Sequence, residues 1–470
     1  MIAGLLLLAQ VAAGDPAITP AALQQHVVIL ADDSMQGRAT PSPGLERAAA
    51  YVARQFAELG LAPAGDGGGY EQRWALTEWT PDTAGSRIEL QGRGWRVAPR
   101  LGVDLRYVTG AAGGRTIRGE TVLLDGAAAA RAGQRELRDR VVVLPVDYGR
   151  PLPPELPALV ERLAARARAV IILGNRDSAT FARRLAAAAE YRLTPDFRTG
   201  DDGAPVLELH RRALGGHRLD SGVRVTIRLE RRIRRRATAP NLVGVLEGAD
   251  PTLRREYVAV SAHVDGVGLR PGAADSINNG ADDNASGLAA LLEIARAFRP
   301  PAQRPRRSIL FLVPSGEERG LWGSDFFVRH PTVPLERIVA VLNMDLIGRN
   351  WTDSVIVAGP ELSSLGETLE AAVAAHPELR MTPLTDRWPE ERIFYRSDHY
   401  HFARAGVPVL FFTSGTHPDY HQPTDSPDRV DAEKASRVAR LVFQVAALAA
   451  DDPERPQWGA GTFRRIAEEP

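Results

Sequence analysis

Between residues 241 and 412 the chain alternates short apolar runs with longer stretches whose apolar positions return every three or four residues. A run that is apolar at consecutive positions suits a strand buried on both faces, as in a parallel sheet covered by helices. The wider spacing suits the covering helix. The pattern predicts strands at Asn241–Leu246, Tyr257–Ala262, Ser308–Val313, Val339–Met344, Ser354–Val357 and Val407–Phe412, with helices at Ala285–Phe298, Ser364–Ala375 and Ala432–Ala450. This order is that of an α/β fold with a mixed, mostly parallel sheet flanked by helices. In such a sheet the carboxyl ends of the strands open onto the ligand crevice.

Upstream the texture differs. Leu45, Ala48, Ala49, Val52, Phe56 and Leu59 follow helical spacing, and Gly60 stops the helix. From Asp104 to Leu229, Gly- and Pro-rich turns separate the strand-like Thr121–Leu124, Arg140–Leu144 and Ala169–Leu173. A helix is expected around Pro157–Arg168, and Val223, Val225, Ile227 and Leu229 alternate inward. No constellation of acids and histidines falls here, so this block reads as a smaller, β-rich α/β domain inserted into a larger one. Arg231 to Arg236 follow it and read as a solvated connector, since one short basic run specifies little. The organisation expected is a leader at 1–13, the first part of the main domain at 20–103, the insertion at 104–230, the rest of the main domain at 238–450 and a tail at 451–470.

At 470 residues the chain exceeds the usual size of a single core, in keeping with two domains. Its 58 basic side chains balance 58 acidic ones, which removes the electrostatic reason to expect nucleic acid or an anionic membrane as partner. Lys434 is the only lysine. The apolar Ile2–Ala9 followed by Gln10-Val-Ala-Ala13 has the form of a secretory leader with a small-residue cleavage site, and predicts export to the periplasm or the medium. No later apolar run is long enough to span a bilayer, so stable membrane insertion is not expected. Cysteine is absent, which excludes disulfides and thiolate catalysis.

Chemistry concentrates at the strand ends. His263-x-Asp265 follows the second strand, and strand alternation puts both side chains on one face, where Asp265 can accept the second ring proton of His263 and fix its tautomer. Asn279-Gly-Ala-Asp-Asp-Asn-Ala-Ser-Gly287 is a glycine-flanked acidic loop opening onto a helix. Asn284 alone would cap that helix, so Asp282 and Asp283 are surplus to capping. Glu317 and Glu318 follow the third strand, and two adjacent desolvated carboxylates call for a cation. Asp345 and His421 complete a ligand set for two neighbouring metal ions plus a general base. One imidazole per metal, a bridging Asp283 and a terminal carboxylate on each favour two zinc ions.

In order, His-x-Asp, Gly-Ala-Asp-Asp-Asn-Ala-Ser-Gly, Glu-Glu-x-Gly-Leu-x-Gly-Ser, Asn-x-Asp-x-Ile-Gly, Ser-Asp-His and Tyr-His resemble the M28 family of co-catalytic zinc aminopeptidases. The resemblance covers about Asn241 to Leu448, with Ala31 to Leu61, including Gln36-Gly-Arg38, similar to the family's N-terminal piece. It implies a zinc-exopeptidase type of fold and removal of residues from peptides with a free amino terminus. By motif, His263, Asp283 and Asp345 would hold one zinc, and Asp283, Glu318 and His421 the other. Glu317 would be general base and acid, Tyr420 would stabilise the oxyanion and Arg396 would lie near the substrate. Gly266 stands where relatives often carry a histidine, and His399 and His401 read as core or supporting residues because the ligand count is already met. The inserted block is similar in position and texture to a protease-associated domain. Two alternatives share the sequence pattern: a glutaminyl cyclase or carboxypeptidase on the same fold, and a receptor-like homologue without catalysis.

Overall fold

Buried aliphatic runs divide the chain into two compact units, one built from residues up to Trp74 and from Thr238 on, the other from Ala75–Ala237. The computed structural model describes residues 18–110, 112–188, 191–198 and 203–468, and the leader expected at 1–13 lies outside them.

The larger unit is an α/β/α sandwich. Its strands are β1 (Arg224–Leu246, contributing 242–246 here), β2 (Tyr257–Ser261), β3 (Ser308–Val313), β4 (Ile338–Met344), β5 (Ser354–Ala358), β6 (Thr382–Leu384) and β7 (Val409–Thr413), ordered β6-β5-β7-β4-β2-β3-β1. The central β7, β4, β2 and β3 are parallel, while β1 is antiparallel to β3 and β5 to β7. Every residue of β3, β4 and β7 is buried, which is why these strands read as continuous apolar runs. The helices of this unit are α1 (Pro20–Leu30), α2 (Pro43–Glu58), α3 (Gly287–Ala297), α4 (Trp322–Arg329), α5 (Leu365–Ala375), α6 (His399–Arg404), α7 (Ala432–Asp451) and α8 (Thr462–Glu468). On one face α7 and α3 cover β2, β3 and β4, with α1 and α5 packed on α7. On the other, Phe327 of α4 and Phe402 of α6 share a core with Leu310, Leu312 and Val341. Ile466 of α8 joins that core, so the segment expected as a tail ends in a packed helix.

In the smaller unit, Thr116–Leu123, Arg140–Val146, Ala169–Gly174 and Val206–His210 lie side by side in parallel, flanked by an antiparallel Leu105–Thr109. Residues 224–228 of β1 close the other edge. Alternate side chains feed two core layers, Val141, Val143 and Ile171 on one face and Val142, Leu144 and Val170 on the other. This unit begins at Ala75, ahead of the 104 read from the sequence. The cause is the strand Glu71–Gly92, which pairs with Arg192–Pro195 and Trp95–Val97 and buries Trp79, Ile88 and Leu90 in the small core. Arg231 to Arg236 also differ from expectation: they lie within β1, not in a connector. Three of these arginines face carboxylates, with Arg234 and Arg235 2.9 and 3.1 Å from Glu78 and Arg232 3.5 Å from Asp82.

Candidate metal centre

Four parallel strand ends deliver the acids and imidazoles to one place. His263 stands two residues beyond β2, Asp345 directly follows β4, and Glu317 opens a single turn after β3. Asp283 comes from the loop ahead of α3, where the Asn284 side chain accepts the Gly287 N–H at 3.0 Å. His421 comes from the loop after β7, with a backbone φ of 57°.

Asp283 lies between the two imidazoles. Its Oδ1 is 3.5 Å from His263 Nε2 and its Oδ2 is 3.1 Å from His421 Nε2. His263 Nε2 is also 3.3 Å from Asp345 and 4.0 Å from Glu317, while His421 Nε2 is 3.0 Å from Glu318. Two groups follow, His263 with Glu317 and Asp345, and Asp283 with Glu318 and His421, each with its ligand atoms within 4.8 Å of one another. Distance alone would thus let Glu317 serve as a ligand beside His263. Asp283 has an oxygen toward each imidazole, so it adjoins both groups.

Electrostatics favour a cation here. Burial and the neighbouring Glu318 push the Asp283 carboxyl up to about 8, and burial holds that of Glu317 well above the ordinary range. Burial alone would lower both imidazoles. The acids around them reverse this, raising His421 to about 10 and His263 well above its usual value. A protein without metal must therefore hold protons in this cluster. Glu318 Oε1 is buried without a hydrogen-bond partner, the state of an oxygen shaped for an ion. An orphaned carboxylate oxygen in a set of two imidazoles and several carboxylates fits zinc.

The supporting contacts revise one expectation. His263 Nδ1 faces the backbone carbonyl of Asp265 at 3.2 Å, nearer than the Asp265 carboxylate at 3.7 Å. That carboxylate instead accepts the Glu317 N–H at 3.1 Å and the Thr40 hydroxyl at 3.1 Å, and Thr40 accepts the Gly316 N–H. Asp265 therefore holds the loop that presents both glutamates as well as adjoining His263. On the other metal-facing edge, Ser397 donates to Asp345 at 3.0 Å and receives Asn343 Nδ2 at 2.9 Å.

Tyr420 and Arg396 line the same cavity as Asp283, Glu317 and Asp345, together with Leu346, Ile393 and Phe411. The Tyr420 ring stacks on His421 at 3.8 Å, and burial beside Asp283 and Glu318 keeps its hydroxyl protonated. Arg396 pairs with Glu391 at 2.9 Å. His399 stacks on Phe411 and bonds the Phe394 carbonyl, and burial pushes it down to about 3, so it is neutral. His401 lies 3.7 Å from Asp325, away from the ligand groups.

Two residues absent from the sequence expectations as site residues carry the loops. Arg38 is buried and donates to the carbonyls of Leu30, Val264, Asn279 and Gly280 at 2.6 to 3.0 Å, tying the His263 and Asp283 loops to the N-terminal segment. Asp425 accepts the N–H groups of Asp282 and Asp283 at 3.0 to 3.1 Å. The Gln36-Gly-Arg38 motif was the signal for the first. Gly266 is explained by the same segment, because a Cβ there would stand 2.8 Å from the Gly37 carbonyl oxygen.

Residues 241–446 match the family model for peptidase family M28. Among curated proteins, aminopeptidase YwaD of Bacillus subtilis is 26% identical over 303 residues, 63% of this chain and 60% of that protein. A probable leucine aminopeptidase of Arthroderma otae is 28% identical over 207 residues, 42% of this chain and 55% of its own. The chain thus spans less than two thirds of the length of these relatives. An aminopeptidase from Aneurinibacillus sp. strain AM-1 shares the fold with a TM-score of 0.52 at 17% identity, covering 94% of this chain and 96% of that one.

Proposed function

We propose that this chain, whose residues 241–446 match the family model for peptidase family M28, is a zinc-dependent aminopeptidase of that family holding two zinc ions. The observation that carries the reading is Asp283, with one oxygen toward His263 and the other toward His421. His263, Asp283 and Asp345 would hold one ion, and Asp283, Glu318 and His421 the other. Zinc in such a pair polarises a carbonyl and acidifies water.

The residues of the chain account for the other steps. Burial gives the Glu317 carboxyl a high proton affinity. It takes the proton of the attacking water and passes it to the leaving amine. Tyr420, protonated and on the cavity wall, donates its hydroxyl to the oxygen that gains charge. The carboxylates Asp283, Glu317, Glu318 and Asp345 draw the protonated amino terminus of a peptide into the cavity. Arg396 on the same wall is placed to meet the substrate backbone.

The test is a panel of aminoacyl-anilides and peptides assayed with and without a chelator. Hydrolysis should vanish with the chelator, N-acetylation of a good substrate should sharply lower kcat/KM, and C-terminal amidation should leave it nearly unchanged. Loss on amidation but not on acetylation would make the protein a carboxypeptidase. Cyclisation of glutaminyl peptides in place of hydrolysis would make it a cyclase.

A further inference from the structure

The backbone that presents Glu317 is tied to a hydroxyl from far upstream. Thr40 and Asp265 are both buried, and 225 positions separate them in the chain. The Thr40 hydroxyl gives its proton to Asp265 Oδ2 at 3.1 Å, which leaves its oxygen to accept the Gly316 N–H at 3.1 Å. Asp265 Oδ1 accepts the next amide, that of Glu317, also at 3.1 Å. Two consecutive amides, one hydroxyl and one carboxylate thus close a ring of hydrogen bonds, and each bond in such a chain polarises the next.

Both partners in this ring are themselves fixed. Arg38 donates to the Val264 carbonyl at 3.0 Å and its own carbonyl accepts the Gly266 N–H at 3.3 Å, so the segment that carries Thr40 lies along the residues beyond β2. Gly316 has a left-handed φ of 76°, and a Cβ there would stand 3.1 Å from the Trp74 ring and 3.2 Å from Trp322, which leaves the turn little room to shift. The metal-ligand residues take their support elsewhere. The Asp345 N–H bonds the Phe412 carbonyl at 3.1 Å, the Asp345 carboxylate accepts the Ser397 hydroxyl, and the Asp283 N–H goes to Asp425. Removing the Thr40 hydroxyl therefore deprives the buried Gly316 N–H of its partner without touching those contacts. A turn that moves to relieve that loss carries Glu317 with it, and a misplacement of roughly 1 Å can cost about a hundredfold in rate.

We propose that Thr40 is a positioning residue for Glu317: acting through Gly316 and Asp265, its hydroxyl sets where the Glu317 carboxyl stands and leaves the metal ligands in place. This rests on the reading of Glu317 as the group that carries the proton.

The test is steady-state hydrolysis of an aminoacyl-anilide by the full-length, zinc-loaded protein, with the metal content of the same samples read by elemental analysis. Thr40→Val keeps the shape and removes the hydroxyl, so kcat should fall roughly tenfold to a hundredfold while KM and metal content stay at their wild-type values. Thr40→Ser restores the hydroxyl and should recover most of kcat. Glu317→Gln, assayed in parallel, separates the two claims. If it is inactive while Thr40→Val turns over normally, the positioning role is overturned and the assignment of Glu317 stands; wild-type turnover in Glu317→Gln removes both. Metal loss in Thr40→Val, or no recovery in Thr40→Ser, would show a merely structural role and also overturn the proposal. Should Thr40→Val not fold, Thr40→Ala, which sets no added methyl against the Asp265 carboxylate, is read by the same criteria.

Discussion

Replacing Arg38 by Met should damage a metal centre that Arg38 does not touch. The guanidinium is 1% exposed and supplies four hydrogen bonds to backbone carbonyls, those of Leu30, Val264, Asn279 and Gly280. Methionine fills similar space but deprives the carbonyls of Leu30, Val264 and Asn279 of this donor, while that of Gly280 keeps the Ala285 N–H, at roughly 1–3 kcal/mol for each buried acceptor left unpaired, before relaxation. Removing a desolvated cation gives part of that back, so a net loss of roughly 3–5 kcal/mol is expected. The loss is local. Val264 adjoins His263, and Gly280, at φ 60°, opens the turn to Asp283. Arg38 is also the cation that burial pushes down in pKa while Asp283, Asp425, Asp265 and Glu318 pull it back up, so its removal takes a positive charge away from that acidic cluster. Urea denaturation of the metal-loaded protein, paired with metal content after dialysis against a weak chelator, reads both effects. Arg38→Lys should restore part of the metal retention through charge, and little of the stability, because one ammonium cannot serve four carbonyls. A stability loss under about 1 kcal/mol with full metal retention in Arg38→Met would refute the reasoning.

Glu317→Gln should retain its metal while kcat falls by several orders of magnitude, measured with an aminoacyl-anilide; unchanged turnover would remove Glu317 as the proton carrier. Glu318→Ala and His421→Ala should each lower metal stoichiometry, read by elemental analysis, and full occupancy in both would sink the ligand assignment. Lys434 donates to Ser414 Oγ at 2.6 Å and to the Arg349 carbonyl, and burial pushes its pKa down to about 8 from the ordinary 10.5. Between those values the unfolded chain holds a proton that the folded one has released, so stability gains with pH across this window. The stability of the wild type relative to Lys434→Met should therefore rise from pH 8 to pH 10, and a flat difference would show that the ammonium is not perturbed.

Strand ends were the readable part of this chain. β2, β3 and β4 lie within a residue of the runs that define them because they are buried on both faces, and burial on both faces leaves no polar interruption in the sequence. His263, Glu317, Glu318 and Asp345 were singled out for the same reason, as charged groups standing where an apolar run stops, whereas Asp283 was singled out by its glycine-flanked acidic loop and His421 by completing the ligand count. Arg38, Asp425 and Lys434 were not readable as supports. Their partners lie far along the chain, 226 positions away for Arg38 and Val264, and a lone charged residue normally signifies surface. The start of the smaller unit was missed because Trp79, Ile88 and Leu90 carry an alternating strand pattern that is equally at home in either unit. The arginine run misled for a related reason: Glu78 and Asp82, which balance it, are about 150 residues upstream.

The embrace of Asp282 and Asp283 by Asp425 bears on when the acid–histidine cluster is completed during synthesis of the chain. Asp425 lies beyond His421, and both follow the rest of the ligand set in the order of translation. A nascent chain that has already formed β2, β3 and β4 still lacks one imidazole and the carboxylate that fixes the bridging loop. The cluster of acids and imidazoles is thus completed only once the chain beyond β7 has been made, and its assembly follows chain order.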